Sequence, residues 1–350
     1  MRRRHVLLAA ALGVATLGAG AGGLTACSGP DLVALQLPAP PPTAPPSPPP
    51  APAVVAKPVG PPGRLSGLPT RPGSPVLAVK VDATAGARPQ AGLRQADVVY
   101  VEQVEGGLTR LLAIFNSRLP DRVGPVRSVR TDNVELLAQY GRIAFAYSGG
   151  QPAALAVVRA GNLVDDGFDT LPGHYAADPA RFAPYNLFVH PTDLLAAGHG
   201  DGARDTGLRF AAGRPPRAGA GREVSLAYPS AQYVFSYRPA SKDYAVTQDG
   251  APLLDDTGKP VVAANVVVQR VVQISTGLTD VAGNVTPANL STGQGEVSVF
   301  RDGHVLAGTW SRASASAPTR WRTPRGADVA LRPGTTWVLL ATAGAPLATK

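Results

Sequence analysis

Cys27 is the only cysteine among 350 residues, so no disulfide within the chain and no thiolate cluster can hold this fold together. It closes the run Leu24-Thr25-Ala26-Cys27. Upstream stand Arg2, Arg3 and Arg4, then an apolar stretch over residues 6–23. Charged, apolar and small-residue regions in that order make an export signal. The run has the form of a bacterial lipoprotein cleavage box. It predicts a signal peptide over residues 1–26, lipidation at Cys27 and a mature chain tethered to the extracytoplasmic face of the cell membrane. A single acyl chain binds a bilayer marginally, at about 10⁴ per molar, and stable anchoring takes a second signal. A multiply acylated cysteine meets that requirement. An exported body without disulfides must rest on its core alone.

The formal charge is +9, and three of the positive residues are Arg2, Arg3 and Arg4, which leave with the signal peptide. The remaining chain stays basic. The anions outside a bacterial membrane are lipid headgroups and envelope polymers bearing phosphate or carboxylate. Arginine suits both, because its planar fork binds them bidentately. The expected partners are therefore the membrane, through the anchor, and an anionic envelope ligand or a membrane protein. Nucleic acid is not expected in that compartment.

Proline punctuates residues 38–62 densely, with Pro40-Pro41-Pro42 and Pro48-Pro49-Pro50 at its heart. Such a stretch favours polyproline II and cannot pack a core. At ~3.1 Å per residue, about 35 such residues reach on the order of 100 Å. Residues 27–67 therefore read as the lipidated cysteine and its linker. Beyond them, residues 76–82 and 98–101 read as buried strands, and 108–115 reads as strand or helix, with its β-branched neighbours and the preceding Gly106-Gly107 favouring strand. Residues 132–140 carry apolar positions at helical spacing, with Thr131 or Asp132 as cap. Residues 143–147 form another strand, and Pro152 opens a helix over 153–159. Alternating strands and helices predict an α/β domain over 68–212 built on a mixed sheet. The remainder reads as strands. Residues 233–237 and 244–248 alternate, Asp249-Gly250 turns, 265–274 reads as one long strand, and Arg301-Asp302-Gly303 turns a hairpin. This predicts a smaller β-rich, α+β domain over 220–345.

Glu105-Gly106-Gly107-Leu108-Thr109-Arg110 and Gly124-Pro125-Val126-Arg127-Ser128-Val129-Arg130, with Ala87-Arg88-Pro89-Gln90-Ala91-Gly92-Leu93, resemble the YerB-like lipoproteins, the family of the DUF3048 domain. Ala183-Pro184-Tyr185-Asn186-Leu187, Phe300-Arg301-Asp302-Gly303-His304 and Pro333-Gly334-Thr335-Thr336-Trp337 fit the same pattern. The resemblance covers about residues 68–345. It implies an envelope lipoprotein with an α/β N-terminal domain and a smaller C-terminal domain. The family has no established activity.

The same motifs hold the candidate site. Arg88, Arg110, Arg127 and Arg130 stand in turns rich in glycine and proline, where backbone approaches a ligand and arginine clamps an anion. The expectation is an anion-binding pocket formed by Arg88, Arg110, Arg127, Ser128 and Arg130, close to the helix start near residue 132. The alternative is that these arginines form buried ion pairs with Asp82, Glu102, Glu105 and Asp132. Glu102 and Glu105 stand three apart, which on a strand puts them on opposite faces and argues against a paired acid and base. His174, His190, His199 and His304 lack zinc spacing, and Ser148-Gly149-Gly150 is no nucleophile elbow. Trp310, Trp321 and Trp337 sit in strand-like settings that suit packing. The sequence offers no catalytic set, metal site or cofactor fingerprint. The leading reading is a non-enzymatic binding module. The alternatives are an enzyme acting on phosphate-bearing envelope precursors and a purely structural scaffold.

Overall fold

The computed structural model describes residues 60–196, 200–213, 215 and 218–350. The expected signal peptide, Cys27, most of the expected linker, His199, Arg214, Pro216 and Arg217 lie outside the described residues. Every described residue belongs to one compact unit spanning Ala56–Lys350. Order begins earlier than residue 68. Leu65 and Ser66 are already buried, because the Gly63 amide donates to the Leu68 carbonyl and the Gly334 amide donates to the Ser66 carbonyl.

Three central strands, β1 (Leu77–Asp82), β2 (Val98–Gln103) and β3 (Thr109–Phe115), are buried along nearly their whole length. That explains their mainly apolar sequences, interrupted by Lys80 and by polar residues at the strand ends, since a strand covered on both faces needs no polar alternation. β3 lies between β1 and β2, antiparallel to both. On one side β1 continues, in parallel, to β4 (Ala144–Ala146) and β5 (Val164–Asp165). On the other, β2 pairs in parallel with Thr336–Ala341, which pairs in parallel with Asn265–Arg270; Gly293–Arg301, His304–Arg312 and Arg320–Arg322 complete the edge. The result is one mixed sheet of 11 strands. It takes strands from both expected domain segments.

Its two faces carry two cores. Leu77, Val79, Val81, Val99, Leu111, Trp337 and their neighbours face a second sheet of 6 strands. That sheet contributes Val224, Leu226, Tyr233, Phe235, Tyr244 and Val246. Its strands Glu223–Tyr228 and Asp243–Gln248 are alternately buried and half-exposed, which is the alternation visible in their sequence. On the opposite face, Ala78, Tyr100, Leu112, Ile114 and Val338 meet the helical layer. Helix α1 (Thr131–Leu137) supplies Leu136 and Leu137, and α2 (Pro152–Ala160) supplies Ala154 and Val158. The fold is thus a mixed-sheet α/β layer joined to a β-rich layer. All three tryptophans are packing residues: Trp310 and Trp321 sit opposite each other on adjacent strands, and Trp337 is fully buried.

Two local expectations are corrected. The cap of α1 is Arg130, whose amide donates to Asn133 Oδ1 at 2.9 Å, rather than Thr131 or Asp132. The expected strand 265–274 breaks after Arg270. Its continuation, Gln273–Thr279, leaves the large sheet and pairs only with Val285–Asn289. This two-stranded arm turns at Asp280, where Oδ1 accepts from the amides of Ala282 and Asn284.

Candidate functional site

The charged residues of the motifs converge where β1 and β2 end and β3 begins. Register sets this: Asp82 and Glu102 both stand opposite Arg110. β4 pairs only with Leu77, Ala78 and Val79 of β1, which frees the edge beyond. The loop after β3 fills it, with the Arg127 amide donating to the Lys80 carbonyl and the Asp82 amide donating to the Pro125 carbonyl. Arg127 is thereby laid against the end of β1. Glu105 reaches the same place through a tight turn in which Gly106 and Gly107 hold φ of 62° and 69°. Glycine alone adopts that region without cost. A side chain at Gly107 would also strike Pro229.

Asp132 apart, the buried charges here are met by counter-charges. Lys80, with no exposed surface, pairs with buried Glu102, which also accepts from Asn133 Nδ2 at 3.0 Å. Asp82 lies 3.2 Å from Arg110 and 2.8 Å from Arg127 Nε. Arg130 grips Glu105 bidentately, at 2.7 and 2.6 Å, and Glu105 accepts from Thr286 Oγ1 at 2.7 Å. Burial pushes the Glu105 carboxyl up, but the hydrogen bonds and charge of Arg130 outweigh it and leave the group below its ordinary range. Burial pulls the Arg110 guanidinium down, against the attraction of Asp82. Asp132 pairs with no arginine. Its carboxylate accepts from the amide and side chain of Asn289 on the arm, at 2.9 and 3.0 Å.

Above this web opens a cleft of about 540 Å³. Arg110, Arg127, Ser128 and Arg130 line it with Glu105 and Leu108. Gln151 and Pro152, at the start of α2, form part of the rim. The far wall is the arm, through Thr279, Asp280 and Val281. Among the described residues, none accepts a hydrogen bond from the terminal nitrogens of Arg127, whose side chain is a quarter exposed. The structure therefore brings together four of the five candidate arginine and serine positions. Arg88 is not among them: it pairs with Asp249 at 3.0 Å and donates to the Gln248 carbonyl. The arm and Gln151 were not foreseen as parts of the site. The Asp280-to-Asn284 turn, with Gly283, was the available signal for the arm.

Burial and the charge of Glu102 raise the Asp132 carboxyl to about 6, opposed by Lys80 and the Asn289 bonds. A carboxyl raised above its unfolded value destabilises the fold above pH 6. That penalty fades as pH falls from 6 to 4, because the folded state takes up the proton first. Two units correspond to about 3 kcal/mol. Asparagine would lose the bond that Asp132 Oδ1 accepts from Asn133 Nδ2 at 3.3 Å, at about 1 kcal/mol. Asp132→Asn is therefore expected to raise stability by about 2 kcal/mol at pH 7.5, and to leave it unchanged or slightly lower at pH 4. Urea unfolding of both proteins across that range checks it. A gain that grows toward low pH would refute the assignment.

Residues 65–204 match the family described as "Protein of unknown function (DUF3048) N-terminal domain", and residues 224–338 match "Protein of unknown function (DUF3048) C-terminal domain". A relative from Bacillus subtilis (strain 168), "Putative lipoprotein YerB", is 28% identical over 273 residues, 75% of this chain and 80% of the relative. The crystal structure of the YerB protein from Bacillus subtilis is similar with a TM-score of 0.69 and 22% identity, over 82% of this chain and 99% of that one. At that identity the likeness speaks for the fold.

Proposed function

This chain belongs to the DUF3048 family, and on that premise we propose that it is a lipid-anchored extracytoplasmic protein whose cleft binds an anion, phosphate or carboxylate, without turning it over. The observation that carries this reading is the convergence of Arg110, Arg127, Ser128 and Arg130 on one cleft. Three arginines there meet two carboxylates in direct contact, Asp82 and Glu105. The free terminal nitrogens of Arg127 are the donors left for a ligand. The first amides of α2 add the positive end of a helix at the rim. Asp280 stands at the mouth and opposes the anion. The carboxylates favour binding over catalysis: Glu105 is held by Arg130 and below its usual range, which unsuits it as a proton carrier near neutral pH. The lipoprotein name of the relative and the Leu24-Thr25-Ala26-Cys27 run support the anchor.

The test is thermal unfolding of the chain from Cys27 onward, carrying Cys27→Ser, against inorganic phosphate, pyrophosphate and citrate. A ligand at 100 times its dissociation constant adds about 2.7 kcal/mol, a clear rise in melting temperature. Arg127→Ala is expected to fold and to abolish the rise. Asp280→Asn is expected to tighten binding two- to threefold, a small effect because Asp280 is only partly buried at the solvent-open mouth and is screened. A well-folded protein indifferent to all three anions would refute the reading.

A further inference from the structure

The cleft does not end at its arginines. Val104 lines it and also lines a second hollow of about 290 Å³, bounded by Ile274, Val285 and Pro287 of the arm. Four of the ten exposed large hydrophobic side chains among the described residues lie on this wall or arm, Leu108, Ile274, Val281 and Val285, and a fifth, Val272, directly precedes the arm. Single exposed hydrophobics are ordinary on any surface, but their gathering at one place marks a binding face. Val281, at the arm's turn, is wholly exposed, and Ile274 and Val285 are about half exposed, at 47% and 52%.

We propose that the occupant is a lipid phosphate: a phosphate ester whose head sits among Arg127, Ser128 and Arg130 and whose hydrocarbon tail runs past Val104 along Ile274 and Val285. This rests on the anion reading above and names its ligand class. The charge side of the argument is the unused donors of Arg127, which suit a compact, multiply charged headgroup. The apolar side is the neighbouring hollow, which shares Val104 with the cleft as a lining residue. A sugar phosphate or free phosphate would leave the apolar arm without a role, and a hydrocarbon alone would leave the arginines without one. An amphiphile satisfies both.

The experiment compares dodecyl phosphate, below its micellar concentration, with methyl phosphate by calorimetric titration of the chain from Cys27 carrying Cys27→Ser. Dodecyl phosphate is expected to bind at least tenfold more tightly. Ile274→Ser/Val285→Ser is expected to collapse that ratio toward one. Arg127→Ala is expected to lose both ligands. Equal affinity for the two esters would overturn the lipid inference while leaving the anion site standing. Failure of both esters to bind would remove the anion site itself. Dodecyl phosphate binding wild type and Arg127→Ala alike would overturn the lipid inference, because the tail would then bind without its head.

Discussion

Replacing Lys80 with methionine is expected to destabilise the protein by about 3–5 kcal/mol, the cost of leaving one member of a buried ion pair alone. Lys80 lies within the fully buried strand β1, and its ammonium meets Glu102, of which 2% is exposed. Without it, Glu102 keeps only the Asn133 amide as a partner and faces the carboxylate of Asp132. Methionine restores the volume but not the charge, so the loss isolates electrostatics from packing. Lys80→Met/Glu102→Gln should recover most of it, because the glutamine oxygen still accepts from Asn133 and no charge is left unpaired. Denaturant unfolding of the two singles and the double gives the coupling directly. A loss under 1 kcal/mol in Lys80→Met would show that water or rearrangement reaches Glu102.

Lys80 also shows why some of this fold was readable and some was not. The run of β1 reads as a buried strand in spite of Lys80 and the closing Asp82, because Leu77, Ala78, Val79 and Val81 are apolar on both faces. What no local pattern announces is the partner that makes the lysine tolerable, since Glu102 arrives through β3 and the register of two strand pairs. The same limit hides the shared sheet. Val98 pairs with Thr336 and Val101 with Leu339, contacts between segments that look independent when composition and turns are the guide. The strands of the second sheet were legible by alternation because only one face is covered.

At the site, the arginines in turns were legible as a group. Their sorting was not. Arg88 sits in a turn like that of Arg127, yet its turn packs against the Asp249-Gly250 hairpin, and Asp249 captures it. The two sequence readings of the arginines, ligand clamp or buried ion pair, are also not exclusive in the structure. Arg110 and Arg127 share Asp82 below while lining the cleft above. The arm escaped notice because residues 265–274 are continuous in β-branched character. The break at Val271 is imposed by pairing: Asn265 through Gln269 match Gly293–Arg301, and Gln273 already matches Asn289.

Asp82→Asn is expected to separate those two roles in one protein. Asp82 is fully buried; its Oδ1 accepts from the amide and hydroxyl of Thr84, both at 2.8 Å. Asparagine can keep the Thr84 contacts but not the charge. Arg110, nearly buried, and Arg127 would then repel each other with no anion between them. The expected loss is about 3 kcal/mol, at the lower end for a broken buried pair because Arg127 reaches solvent. If the cleft takes phosphate, that ligand should now bind more tightly, since it replaces the missing counter-charge. The variant's stability should therefore rise more steeply with phosphate than that of the wild type. Sodium chloride at matched ionic strength separates binding from simple screening, which also relieves like-charge repulsion. Parallel phosphate dependence in the two proteins would mean that phosphate does not reach these arginines, and the charged web would then stand as structure alone.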